Sequence, residues 1–182
     1  MSLAALSIAA ALLADVPRPV SLEARADVRS CQSLEAAEDE SLAGCRRALA
    51  RGLPPDWSSA VRIALARRLA ALGLWEEVAF LYRQESDARP QSAEGPLRLG
   101  STLLLGLARP EEAEPALKEA LRRDPRSALA EALLGVALNA LSRFTESAAA
   151  FARAAEIDPE LFGSRPALVA VRAASEAGER WP

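Results

Sequence analysis

The sequence contains no histidine, and this absence removes the commonest general base and the commonest metal ligand together. With only two cysteines, a zinc site is not expected either. The nine glycines are scattered along the chain, so no glycine-rich loop is available to hold a phosphate group. We therefore expect a protein that is not an enzyme and that binds no cofactor or metal.

Aromatic residues and lysine are also scarce. Phe, Trp and Tyr make up 4% of the 182 residues, and Lys118 is the single lysine among 22 basic residues. Because the hydrophobic share is nevertheless 51%, the apolar residues are mainly Ala, Leu and Val, a mixture that favours helices over strands. The net charge of -3 comes without clusters of Lys and Arg, so we expect no nucleic-acid partner.

The amino terminus, MSLAALSIAAALLA, is an uncharged apolar run of fourteen residues, too short to span a bilayer as a helix. It resembles the apolar region of a secretory signal, with Ala24-Arg25-Ala26 as a candidate cleavage site. Against this, no Lys or Arg precedes the run, and the candidate site lies far downstream. We favour export to the periplasm with residues 1–21 as a leader; the alternative is a cytoplasmic protein with an apolar helix packed onto the domain.

The stretch LAGC, residues 42–45, matches the signal with which bacteria mark a cysteine for lipid attachment. Such a cysteine must directly follow an apolar segment that enters the membrane. The preceding residues 35–40 read EAAEDE and carry four carboxylates, which prevents membrane entry at this point. Cys45 therefore needs a structural explanation.

Internal similarity at a fixed spacing dominates the rest of the chain. Pro90, Pro125 and Pro159 end three similar stretches, and their spacings are 35 and 34 residues. Before each proline lies a segment with helical apolar spacing, then a turn, and before the turn another apolar segment. The unit is helix, turn, helix, turn. We expect the one extra residue to lie in the inter-helix turn of the middle repeat.

Two glycines recur at the same phase of the first helix in consecutive repeats. Gly100 and Gly135 each cost about 1 kcal/mol relative to alanine inside a helix. A missing Cβ lets the second helix of the repeat approach closely, and Leu117 and Phe151 can fill the contact. The phase of the glycines therefore predicts close packing of the two helices within each repeat.

The pattern over about residues 59–160 resembles the tetratricopeptide repeat (TPR) family. The matching residues are Leu134-Gly135, Leu138, Phe144, Phe151, Ala154 and Pro159 in the last repeat, Leu99-Gly100, Leu103, Ala113, Leu117, Ala120 and Pro125 in the middle one, and Leu65-Ala66, Leu69, Gly73, Trp75, Tyr82 and Pro90 in the first. The resemblance implies an all-α, right-handed solenoid of antiparallel helix pairs. It would comprise three recognisable repeats, a degenerate repeat at residues 22–58, and a capping helix and tail at residues 161–182.

Extending the register of this resemblance backward gives each cysteine a place. Cys45 falls at a buried position of the second helix of the degenerate repeat, and Cys31 falls in its first helix. The resemblance thus implies that both sulfur atoms lie at one level of two antiparallel helices, close enough for a disulfide if the protein is exported. In a cytoplasmic protein they would be two buried free thiols.

The resemblance also implies a concave surface lined by one face of each first helix. The residues on that face are Ile63, Arg67, Ala70, Leu97, Ser101, Leu104, Ala132, Val136 and Asn139. They are mostly apolar and lack the several Lys, Arg and Asn with which TPR domains clamp the terminal carboxylates of chaperone tails. We therefore predict a non-catalytic adaptor that holds an apolar or amphipathic partner segment in this groove. The alternative is a structural or assembly subunit of a larger complex that uses its outer surface or its ends.

Overall fold

The structure is a computed structural model that describes residues 20–33, 38–162 and 165–180. Every regular element within these ranges is helical, and none of these helices is long and apolar enough to cross a membrane. Of the expected leader, only Val20 and Ser21 are among the described residues. The chain divides into two compact units, Met1–Leu65 and Ala66–Pro182, and the boundary falls inside one helix.

The first unit contains two helices joined by a disulfide. Helix α1 (Leu22–Gln32) and helix α2 (Glu38–Ala50) pack together, and Cys31 and Cys45 are bonded with their Cα atoms 4.5 Å apart. Both cysteines are 0% exposed. The candidate cleavage site at residues 24–26 lies inside α1. The LAGC stretch is therefore part of a buried, covalently joined pair of helices.

Ion pairs hold the same two helices together. The carboxylate of Asp27 on α1 accepts hydrogen bonds from Nε of Arg47 at 2.8 Å and from Nε of Arg51 at 2.7 Å, both on or just after α2. These two hydrogen bonds lower the pKa of Asp27, and the bond from Arg47 has the larger effect. The Asp27 side chain is only 10% exposed, and such burial opposes ionisation of a carboxyl group. The two arginines outweigh this effect and keep Asp27 ionised between the helices.

The second unit is a series of helix pairs. Helix α3 (Pro55–Ala71) crosses the unit boundary, and it is followed by α4 (Trp75–Ala88), α5 (Glu94–Ser101), a π-helical segment (Thr102–Gly106), α6 (Pro110–Arg123), α7 (Ala128–Ala140), α8 (Phe144–Ile157) and α9 (Pro166–Ala177). Short turns join α5 and its π-helical segment to α6, and α7 to α8, so the helices of each pair run antiparallel. This is the arrangement of helix pairs that the repeat pattern predicted.

The two recurring glycines lie where the helices of a pair meet. A Cβ atom built on Gly135 would lie 2.9 Å from Cε2 of Phe151, and one built on Gly100 would lie 2.6 Å from Cγ of Leu117. Phe151 and Leu117 are both 0% exposed. The large side chain of the second helix therefore occupies the space that a Cβ atom on the first helix would need.

Each of the three inter-helix turns contains one residue in the left-handed region of φ and ψ. These residues are Gly73, Ser142 and Ala108, with φ of 72°, 61° and 52°. In the last repeat the N–H of Arg143 donates to the carbonyl of Leu138 at 2.9 Å, which closes the turn in the manner of a helix C-cap.

In the middle repeat the corresponding hydrogen bond spans one more residue. There the N–H of Arg109 donates to the carbonyl of Leu103 at 2.8 Å, six residues earlier instead of five, and the N–H of Leu107 donates to Thr102. The prediction that the extra residue lies in the turn is therefore wrong. It lies inside the first helix, as the π-helical segment Thr102–Gly106, because a π-turn absorbs one inserted residue while the helix continues on both sides.

Helix α9 covers the last repeat. Val171 on α9 is 4% exposed and belongs to one hydrophobic cluster with Ala132, Phe151 and Phe162. Within this interface Nδ2 of Asn139 donates to Oγ of Ser175 at 2.9 Å. The first helix of the last repeat is therefore packed against α9.

Candidate binding groove

The second unit contains a concavity of about 760 Å³ that we call the groove. Its apolar lining comes from first and second helices alike and includes Val78, Tyr82, Leu97, Leu105, Leu129 and Leu133. A cavity of this volume with a mainly apolar lining and a few charged side chains has the properties of a ligand-binding cleft.

Four of the nine residues predicted to face a partner line the groove: Arg67, Ala70, Leu97 and Ser101. Leu104, Val136 and Asn139 instead line a second, smaller concavity of about 430 Å³. Ile63 lies in the first unit.

Two of the nine predicted residues have almost no exposed surface. Ala132 is 0% exposed and lies in the cluster covered by α9. Asn139 is 1% exposed, and its Nδ2 also donates to the backbone carbonyl of Glu179 at 2.9 Å. Neither side chain lines the groove, because the capping helix packs on the face of α7 on which they lie. That they face a partner stays a prediction.

Sequence reasoning missed the leucines that dominate the groove. Leu129 and Leu133 lie on α7 and line the groove, whereas Ala132 does not. Leu105 lies in the π-helical segment, is 68% exposed, and lines both concavities. One signal in the sequence pointed to this segment: the spacing of 35 residues between Pro90 and Pro125, one more than between Pro125 and Pro159. This spacing reveals an inserted residue but not its position.

The π-helical segment is held from the side by an aromatic residue. A Cβ atom built on Gly106 would lie 2.6 Å from Cδ2 of Trp75, so the indole packs directly against the backbone of the segment. Trp75 itself lines the groove. The indole therefore supports the segment that carries Leu105.

One edge of the groove is fixed by a nearly buried arginine. Nη1 of Arg123 donates to the carbonyls of Ser86, Arg89 and Ser92 at 3.2, 3.1 and 3.0 Å. These carbonyls lie at the end of α4 and in the connection to α5, next to Ala93, which lines the groove. Arg123 thus ties the second helix of the middle repeat to the loop that borders the groove.

The charged residues of the groove are only partly paired. Arg98 pairs with Glu94 through Nη2 and Oε1 at 2.6 Å, and its guanidinium carbon lies 5.9 Å from the ring centroid of Tyr82. Arg67 and Arg165 form no ion pair or side-chain hydrogen bond with any residue in the described part of the chain. No group of three or more His, Cys, Asp or Glu side chains that could hold a metal ion occurs among the described residues.

Comparison with known proteins identifies the repeats. Residues 97–161 match the family model described as Tetratricopeptide repeat. No curated protein sequence matches the chain.

Solved structures share the fold at low sequence identity. MamA 41-end from Desulfovibrio magneticus RS-1 superposes with a TM-score of 0.67 at 19% identity, covering 88% of this chain and 93% of that chain. The first TPR domain of human RPAP3 superposes with a TM-score of 0.58 at 21% identity, covering 66% and 94%. The first TPR of Spaghetti (RPAP3), bound to the HSP90 peptide SRMEEVD, gives a TM-score of 0.56 at 22% identity, covering 64% and 91%. Residues 97–161 thus match tetratricopeptide repeats, and the chain shares the fold of solved TPR structures.

Proposed function

We propose that the protein is a non-catalytic adaptor that holds an apolar or amphipathic segment of a partner protein in the groove of its second unit. The observation that carries this proposal is Leu105, a leucine that is 68% exposed within an apolar lining. The TPR fold supports an interaction role, and the similar domain of Spaghetti is known with a bound peptide. Segments of this kind bind by placing apolar side chains in a hydrophobic groove.

The exposure of Leu105 has a defined energetic meaning. Burying a leucine side chain stabilises a complex by about 1.5–3 kcal/mol, and Leu97 and Leu129, both half-buried, add further apolar area next to it. The side chain sits on a π-turn, a rare conformation that occurs frequently at functional sites. An exposed apolar side chain on a rare backbone conformation inside a groove is the arrangement of a binding anchor.

Selection of displayed peptides tests this proposal. A peptide library is selected against the protein, and the dissociation constants of enriched peptides are measured for wild type and for Leu105→Asp. We expect at least a tenfold loss of affinity, since the change removes a leucine that the bound peptide would bury and adds a charge to the interface. The matched control is Phe80→Asp, because Phe80 is 56% exposed and lies outside both concavities. Enriched peptides that bind Leu105→Asp as tightly as wild type would contradict the proposal.

A structural role in a larger assembly is the second candidate. Phe80 on α4 is the observation that favours it, since a large exposed aromatic outside the groove suits contact with another subunit. Light scattering over a range of concentrations separates the two roles. Assembly would be favoured over peptide binding if the molar mass of wild type rises with concentration while that of Phe80→Asp stays at the monomer value.

We also propose that the protein is exported, to the periplasm. The disulfide between Cys31 and Cys45 supports this compartment, because such bonds persist in oxidising environments. Mass spectrometry of the protein from its native host tests both the mature amino terminus and the redox state of the two cysteines. A full-length chain with two reduced thiols would rule out export.

A further inference from the structure

Arg67 places an unpaired positive charge in the groove. It lies on α3 within the second unit, is exposed, and forms no ion pair or side-chain hydrogen bond with a described residue. Many arginines of this protein are paired: Arg98, for example, pairs with Glu94 in the same groove. Arg67 is thus a free guanidinium beside an apolar surface.

Arg165 provides a second unpaired charge at a position where a cation is unfavourable. It is the N-cap residue of α9, and the positive end of a helix dipole disfavours a cation there. Arg109 and Arg143 occupy the same position on α6 and α8, and both pair with carboxylates, Arg109 with Glu76 and Arg143 with Glu146. Of these three, Arg165 is the one without a carboxylate partner among the described residues.

The remaining charges of the groove offset these two arginines only in part. Glu94 is occupied by Arg98 at 2.6 Å. Asp124 is the second carboxylate of the lining, and its Oδ1 accepts the backbone N–H of Arg126 at 3.1 Å, a bond that leaves its negative charge in place. The lining has three arginines, Arg67, Arg98 and Arg165, against these two carboxylates, so the groove has a net positive charge of one, although the whole chain is negative by three charges.

We propose that the partner segment is acidic and amphipathic: its apolar side chains contact Leu97, Leu105 and Leu129, and its carboxylates pair with Arg67 and Arg165. This inference rests on the proposed function and specifies the partner. Arg67 comes from the first helix pair of the second unit and Arg165 from the segment after the last pair, so the two arginines belong to opposite ends of the repeat order.

A displayed library with charge choices at defined positions tests this inference. Each peptide carries leucines at helical spacing, flanking positions that are Glu, Gln or Lys, and a blocked carboxyl terminus. The library is selected against wild type, Arg67→Gln/Arg165→Gln and Arg83→Gln. Arg83 is the matched control, because it is also exposed and unpaired among the described residues but lies outside the groove.

On wild type and Arg83→Gln we expect enrichment of Glu over Gln and Lys. On the double variant this enrichment disappears while the leucine-dependent binding remains. For a selected peptide we expect each single variant, Arg67→Gln or Arg165→Gln, to weaken binding by about two- to fivefold, the range of ion pairs at exposed sites. Higher salt reduces the preference for Glu, because the charges are screened.

Three results would overturn the inference. Selected peptides that need Leu105 but show no preference for Glu refute the acidic partner and leave the adaptor function intact. A preference for Glu that persists in the double variant refutes the role of the two arginines. If no peptide is enriched, or if enriched peptides ignore Leu105→Asp, both this inference and the proposed function fail.

Discussion

Replacing Arg123 by methionine should loosen the loop that borders the groove. The Arg123 side chain is 9% exposed, and its Nη1 faces three backbone carbonyls within 3.2 Å. Its Nε also donates to Oε1 of Glu119 at 2.6 Å. Methionine retains the apolar part of the side chain and removes every donor, so the change isolates the hydrogen bonds.

The magnitude follows from the number of donors. Nη1 carries two N–H groups, so two of its three carbonyl contacts can be full hydrogen bonds at once. Hydrogen bonds from charged donors contribute about 1.5–3 kcal/mol each, and water can recover part of that for half-buried carbonyls. We therefore expect Arg123→Met to reduce the free energy of unfolding by about 2–4 kcal/mol.

Arg122→Met is the matched control. Arg122 is the preceding residue, is 69% exposed and pairs with the same Glu119, but it donates to no backbone carbonyl of the described residues. Its replacement should leave the urea midpoint close to that of wild type. Urea denaturation followed by circular dichroism gives the free energies, and amide hydrogen exchange shows whether protection is lost at the end of α4 and the start of α5. Equal effects of the two substitutions would refute the role assigned to the carbonyl contacts.

Three further changes test packing, turn geometry and charge, each by denaturation. Gly135→Ala places a Cβ atom 2.9 Å from the buried ring of Phe151 and should destabilise the protein. The crowding costs about 1–3 kcal/mol, which outweighs the gain of about 1 kcal/mol in helix propensity. Unchanged stability would mean that the ring can move away. Ala108→Gly should stabilise the protein by about 0.5–1 kcal/mol, because Ala108 has a φ of 52°; a loss of stability would contradict this. Hydrogen bonding by Arg122 and Arg123 lowers the pKa of Glu119 from 4.5 to about 2, so its ionised form stabilises the fold above pH 4.5 and loses that effect as the pH falls toward 2. The stability difference between wild type and Glu119→Gln should therefore shrink over this interval, and a constant difference would exclude the linkage.

The helix pairs could be predicted because their signals are local and repeated. Pro125 and Pro159 mark the ends of second helices, and Gly100 and Gly135 mark the points of closest approach. Each signal has a physical cause within one repeat, and its recurrence at the same phase excludes coincidence. The repeat architecture follows from such residues without any knowledge of long-range contacts.

The groove could be predicted only in part, because its lining depends on what covers each helix. Ala132 and Asn139 occupy the positions of α7 that face the groove in the family pattern, but α9 packs on them. The sequence indicates a terminal helix but not which side chains it covers. Leu133 lines the groove instead, and nothing in its spacing distinguishes it from a core leucine.

The position of the inserted residue could not be predicted either, although contacts on both sides explain it. Upstream, Gly100 is fixed against Leu117, and downstream Gly106 is fixed against Trp75, so the additional residue must be absorbed between these two contacts. A helix can absorb one residue there as a π-turn without moving either contact. The consequence is that Leu105 is directed into solvent while Leu103, two residues earlier, is 2% exposed.

Deletion of Leu105 separates the effect of this π-turn on stability from its effect on peptide binding. The deletion restores the 34-residue spacing, so the N–H of Arg109 would bond to the carbonyl five residues earlier, as Arg143 does with Leu138 in the last repeat. We expect the thermal midpoint to stay the same or rise, because a regular helix replaces a rare conformation, while affinity for peptides selected on wild type falls at least as far as in Leu105→Asp. Residues 103–105 are all leucine, so this variant is the loss of one leucine from the run, and Leu105→Asp, which keeps the 35-residue spacing, is its control. If the Leu105 deletion is as stable as wild type and still binds those peptides, the inserted residue has no role in recognition; if the chain unfolds, the π-turn is a requirement of the fold and not a feature kept for binding.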